Sequence, residues 1–206
     1  IGVTGLINSG NSLLGSAVGD AVGLRVTALS NGNYVVCSSA WDNGATENAG
    51  AVTWCNGASG LSGYVGNSNS LVGMSAYDSV GIGGAIPLTN GSYVVLSPLW
   101  KNGVITGAGA VTWGNGVTML RGNVSSSNSL VGSTAYDYVG NTGVAALSNS
   151  NYVVISQSWD HGTVVDAGAV TWGSGISGVT GEVSPQNSLI GSTTGDSTQT
   201  SVIPLS

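Results

Sequence analysis

The tripeptide Asn-Ser-Leu occurs four times, beginning at Asn11, Asn69, Asn128 and Asn187, with steps of 58, 59 and 59 residues. A fixed period of this length means tandem supersecondary units, each of which must lie against a neighbour to hide its apolar face. Other columns keep the same step. Tyr34, Tyr93 and Tyr152 open Tyr-Val-Val runs; Trp41, Trp100 and Trp159 close them; Trp54, Trp113 and Trp172 end Ala-Val-Thr-Trp segments. Asp20, Asp78, Asp137 and Asp196 form a further column, and the one missing residue falls between Asp20 and Tyr34.

Each copy reads as four short extended segments, in the second copy NSLVGMS, GGAIPLT, SYVVLSPLW and AGAVTWGN. Val, Ile, Thr, Tyr and Trp fill them, which suits strands. Asn-Gly pairs at Asn31, Asn43, Asn56, Asn90, Asn102 and Asn115 punctuate them, the strongest local signal for a tight hairpin turn. No window shows helical periodicity free of glycine. The expectation is an all-β single repeat domain over residues 1–206: tandem four-stranded antiparallel units of about 59 residues, starting near 11, 69, 128 and 187 and packed like propeller blades. A β-solenoid and a β-prism are the alternatives. The count of segments leaves a surplus two-strand unit whose edge would expose unpaired backbone. Pro204 is the candidate for blunting such an edge, Lys101 being the only lysine, and the last copy, altered by the Ser-Thr-Gln-Thr-Ser stretch at 197–201, reads as either a cap or a docking strand.

Composition narrows the function. Three Lys and Arg stand against nine Asp and Glu, a net charge of -6, so no basic surface is present to neutralise a phosphate backbone, and nucleic acid is excluded as a partner. Glycine, serine, asparagine or threonine interrupts every hydrophobic run, so no membrane-spanning helix is expected.

Residues 78–111, DSVGIGGAIPLTNGSYVVLSPLWKNG followed by a Gly-Ala-Val segment, resemble the integrin-type propeller repeat known as the FG-GAP repeat, which is also found in bacterial secreted and surface adhesin-like proteins. The resemblance covers all three complete units and implies propeller blades in an extracellular or cell-surface adhesive setting. One departure matters. That family's calcium loops have the form D-x-D-x-D-G, whereas the corresponding segments here read LSNGN, LTNGS and LSNSN without a carboxylate, so no metal or other cofactor is expected.

Among single residues, Cys37 and Cys55 straddle the loop after Trp41 about a midpoint at 46, and a symmetric hairpin would set them opposite one another as a disulfide. Two small buried thiols are the other reading. Asn90 and Asn123 begin glycosylation sequons. The four column Asp residues are expected to accept hydrogen bonds from turn amides rather than to ligate metal. His161, the only histidine, stands in a turn column held by Asn43 and Asn102 in the other copies, which suits a turn residue better than a general base. No nucleophile has a histidine beside it, and no enzyme is expected. Trp54, Trp113 and Trp172 read as filling between neighbouring sheets. Trp41, Trp100 and Trp159, beside Asp or Lys and a tight turn, are the candidates for partly exposed sugar-stacking indoles.

Two functions compete on these grounds. One is a non-enzymatic extracellular structural or adhesive protein that self-associates through open sheet edges into a ring or filament. The alternative is a lectin-like module binding glycans through Trp41, Trp100 and Trp159.

Overall fold

The computed structural model describes residues 4–196. In chain order its strands are β1 (Leu13–Leu14), β2 (Arg25–Ala28), β3 (Tyr34–Ser38), β4 (Ala51–Cys55) and β5 (Gly63–Tyr64). Next come β6 (Ser70–Val72), β7 (Gly84–Pro87), β8 (Tyr93–Ser97), β9 (Ala110–Gly114) and β10 (Gly122–Asn123). β11 (Ser129–Val131), β12 (Gly143–Ala146), β13 (Tyr152–Ser156), β14 (Ala169–Gly173), β15 (Gly181–Glu182) and β16 (Ser188–Ile190) complete the series. Among the described residues there is no helix, and so none long and apolar enough to cross a membrane.

The strands build three antiparallel sheets one period apart: β2-β3-β4-β6, β7-β8-β9-β11 and β12-β13-β14-β16. All four segments expected of each of the three complete copies are strands. Their grouping differs from the expected phase: the Asn-Ser-Leu strand closes the sheet in front of it, so that β6 pairs with β4 rather than opening the next unit with β7. The Thr53 and Ser70 hydroxyls, 2.7 Å apart, lock β6 to β4. The same bond joins Thr112 to Ser129 and Thr171 to Ser188.

Successive sheets pack face to face like blades. On one face of the first sheet, Val35 lies beside Trp54, and Cys37 beside Val52 and Leu71. Against it stands the opposite face of the second sheet, with Ala85, Tyr93, Val95 and Ala110 in one buried cluster with them. One period on, Val94, Leu96, Val111 and Leu130 meet Tyr152, Val154 and Ala169. Side chains alternate across each strand and both faces of a middle blade are covered, which is why Tyr-Val-Val-Leu reads as a continuous apolar run.

Polar contacts repeat with the packing. Thr27 Oγ1 donates to Ala85 O at 3.2 Å, Asn31 Nδ2 to Gly116 O at 2.8 Å and, one period later, Asn90 Nδ2 to Gly175 O at 2.8 Å. Gly50, at φ 76°, lets the backbones of consecutive units touch, since a Cβ there would lie 2.1 Å from the amide nitrogen of Val80. The three sheets stack in chain order without closing a barrel.

The disulfide expectation is corrected by the register. Cys37 pairs with Val52 and Cys55 with Tyr34, so the hairpin turns short of the assumed midpoint, the two residues are offset by three, and their side chains leave opposite faces of the sheet. Both thiols are free and buried. Burial drives the Cys37 thiol up to about 12, against a smaller lowering by Arg25, and the Cys55 thiol up to about 11, against a hydrogen bond with Tyr34. The column of Cys55 holds Gly114 and Gly173 in the other sheets, each opposite a fully buried tyrosine; a Cβ on Gly173 would lie 2.1 Å from Tyr152 Cζ. With Cys55 in that place the Tyr34 ring is only half-buried.

Candidate functional site

The Asp column forms a repeated turn clamp. Asp78 Oδ2 accepts from the amides of Met74 and Ser75 at 3.0 and 2.9 Å, and its Oδ1 accepts from the amide of Lys101 at 3.1 Å. Asp137 repeats this with Ser133, Thr134 and Asp160, and Asp20 with Ser16, Ala17 and Asp42. Each carboxylate thus ties the turn after one Asn-Ser-Leu strand to the loop that leaves the Tyr-Val-Val strand of the following sheet. The clamp holds strained backbone: Tyr77 and Ser79 beside Asp78 have φ of 63° and 46°, and Tyr136 and Tyr138 beside Asp137 have 70° and 44°. Burial raises the pKa of Asp78 and Asp137, with the amide bonds pulling the other way. Asp196 is held down at about 2, chiefly by the Thr193 hydroxyl, with the Ser192 and Thr193 amides adding to it. Among the described residues its carboxylate receives only donors from Ser192 and Thr193, and no third donor from a following loop. No cluster of metal-ligating side chains occurs among the described residues.

Trp41, Trp100 and Trp159 are not the half-exposed indoles expected. They are 3%, 5% and 3% exposed, because the loop after each folds back, the amides of Gly50, Gly109 and Gly168 donating to the three Trp carbonyls. Nε1 of Trp41 and of Trp159 is buried without a hydrogen-bond partner, so neither indole presents a polar edge to a sugar. His161 lies in its turn, exchanging backbone bonds with Val164, and its ring stacks on Trp159 at 5.8 Å.

The other Trp column carries the informative contrast. Trp54 is 8% exposed and its Nε1 donates to Gly116 O in the next unit at 2.9 Å. Trp113 is half-buried, whereas Trp172 is 55% exposed. Leu189 behaves likewise, at 79% against 0% for both Leu71 and Leu130. Together with Val153 and Val170 these two side chains line an open cleft of about 390 Å³ on the third sheet, the face that in the other two sheets is sealed by the next blade.

An edge is open at the same place. The short strands β5, β10 and β15 add in parallel to β1, β6 and β11, so every Asn-Ser-Leu strand but the last is capped by the unit that follows. The amides of Val65, Val124 and Val183 fix these ladders by donating to Leu14 O, Val72 O and Val131 O at 2.9, 3.1 and 3.0 Å. β16 has no such partner among the described residues. The parallel ladders were missed in the sequence. Their signal is a Gly-x-Val column at Gly63, Gly122 and Gly181, whose positive φ of 108°, 99° and 95° turns the chain onto the neighbouring edge, with Val65, Val124 and Val183 buried behind it. The surplus two-strand unit starting near 187 gives its first strand, β16, to the third sheet through β14, while the matching strand of the first copy, β1, pairs with β5. Pro204 and residues 197–201 lie outside the described residues.

No curated protein matches the chain. Four consecutive stretches, residues 1–24, 28–82, 87–141 and 146–200, match a family model described as a repeat of unknown function, DUF5650. The three longer matches begin on the last residue of β2, β7 and β12 and run through the following Asn-Ser-Leu strand, so each holds the other three antiparallel strands of one sheet and leaves out most of its first. With these four stretches covering most of its 206 residues, the chain belongs to the DUF5650 repeat family.

Proposed function

We propose that the chain is a non-enzymatic structural and adhesive repeat protein of the extracellular space or cell surface, which associates with copies of itself through the open end of its sheet stack. The single observation carrying this reading is the third sheet's face. Trp172 and Leu189 are exposed at positions whose counterparts are sealed by a following blade, and among the described residues β16 has an unpaired edge beside them. A stack that adds units to one end makes a heterologous contact, which propagates as a filament unless its rotation closes. The likeness of residues 78–111 to integrin-type repeats supports the adhesive setting and the extracellular location. The buried free thiols give the location no support, and the buried Trp41 column removes the ground for a glycan site.

Negative-stain electron microscopy of the purified chain tests this reading. Filaments or rings are expected from the native protein, and Leu189→Lys, which alters a solvent-facing side chain, is expected to disperse them. Uniform single particles of native protein at every concentration would overturn it.

A further inference from the structure

The face and edge that are open at the third sheet among the described residues have a matching acceptor on the first sheet, already filled by a segment that copies the third sheet's own last strand. Residues 4–24 align with 180–200 at a constant offset of 176: Thr4 with Thr180, Gly5 with Gly181, Asn11 to Leu13 with Asn187 to Leu189, Gly15 with Gly191 and Asp20 with Asp196. The likeness extends to position. β1 lies on β5 as β6 lies on β10, and Leu13 and Val22 cover Trp41, Ala51 and Val72, the counterparts of the residues that the first sheet covers on the second. The cover is partial. Val26 is 61% exposed where its counterpart Ala85, under a full sheet, is 7% exposed. Residues 4–24 thus supply one two-residue strand and a turn clamp on this face.

We propose that two copies join head to tail by strand exchange: β16 of one copy takes the place of β1 on β5 of the next, its Leu189 and Trp172 face covers the second copy's first sheet, and residues 4–24 of that copy are displaced. This rests on the self-association reading above and names its partner surface. The junction would repeat the two interfaces already present within the chain, since Asp196 would reach the amide of Asp42 as Asp78 reaches that of Lys101. It also assigns residues 4–24 a role, that of an internal plug which a partner must outcompete with a near-identical strand and a whole apolar face.

The register supplies the test. Leu14 pairs with Tyr64, and Ile190 is the counterpart of Leu14. Neighbouring strands lie about 4.8 Å apart, within reach of a disulfide. The 206-residue chain carrying Tyr64→Cys with Ile190→Cys, oxidised with copper phenanthroline, is expected to give a ladder of disulfide-linked multimers on a non-reducing gel. The chain carrying Leu14→Cys with Tyr64→Cys is expected to lock the plug as an internally bridged monomer and to lose the association seen for the native protein in sedimentation velocity. Cys37 and Cys55, buried and protonated, stay silent as background. Circular dichroism of the reduced variants confirms the fold. Native protein that associates without a ladder from the first variant, or undiminished by the lock, overturns strand exchange and leaves self-association standing. Native protein that sediments as a monomer at all concentrations overturns both.

Discussion

Replacing Trp54 and Trp172 by alanine, one at a time, measures how much stability comes from one blade sealing the next. The residues are equivalent in sequence and strand position, but Trp54 is 8% exposed and Trp172 55% exposed. The difference is about half of an indole side chain's surface, roughly 120 Å², and at about 25 cal/mol per Å² it corresponds to ~3 kcal/mol. Trp54 also loses the bond from Nε1 to Gly116 O, a further ~1 kcal/mol. Trp54→Ala should therefore cost about 4 kcal/mol more than Trp172→Ala, inside the range for truncating a buried aromatic once the cavity is counted. Urea unfolding followed by far-ultraviolet circular dichroism reads the difference as a shift of midpoint, provided the protein is dilute enough to be monomeric. Because a repeat stack can unfold unit by unit, the steepness of the transition must be compared as well. Equal losses for the two variants would refute the claim that the first sheet's face is sealed by the second and the third sheet's is free.

Three further outcomes follow from the interior. Tyr93 is fully buried with its hydroxyl unpartnered, so Tyr93→Phe should leave stability unchanged or raise it by about 1 kcal/mol, as thermal unfolding would show; a loss above that figure would reveal a bond the packing does not contain. Both thiols titrate higher in the folded chain, at about 12 and about 11, than the ordinary 9.0 of the unfolded one. The unfolded chain therefore releases protons that the folded chain keeps, and stability falls as pH rises above 9, by up to about 1.4 kcal/mol per pH unit for each thiol. The double variant Cys37→Ala, Cys55→Ala should flatten that slope in urea titrations between pH 9 and 11. Asp137→Ala strips three amides of their acceptor beside two strained tyrosines and should cost about 2–4 kcal/mol by the same assay, with amide exchange accelerated at Ser133, Thr134 and Asp160; unchanged exchange would deny the clamp.

Much of this architecture is legible in the sequence because repetition multiplies weak signals. One Asn-Gly pair suggests a turn; the same pair recurring at Asn31 and Asn90 fixes where the edge strand of the first two sheets folds back on Tyr34 or Tyr93. The phase of the unit was not legible, since a periodic chain looks alike whichever column is taken as its start, and only the ladder between β4 and β6 decides. The Cys37 and Cys55 geometry was misjudged because the hairpin loop is not symmetric about the pair. The Trp41 column looked exposed by its polar neighbours, but those neighbours belong to a loop that closes over it. Hidden most completely was the Gly-x-Val column: two residues long and paired in parallel, β5, β10 and β15 leave no alternation to read.

Acrylamide quenching of tryptophan fluorescence across a dilution series, taken as the difference between the native protein and Trp172→Phe, interrogates the free blade face itself. A sheet stack open at its third blade gives a Trp172 signal that is readily quenched when dilute and becomes shielded as concentration rises. A Trp172 signal as protected in dilute solution as that of Trp54, or one still fully quenched in concentrated solution, would contradict it.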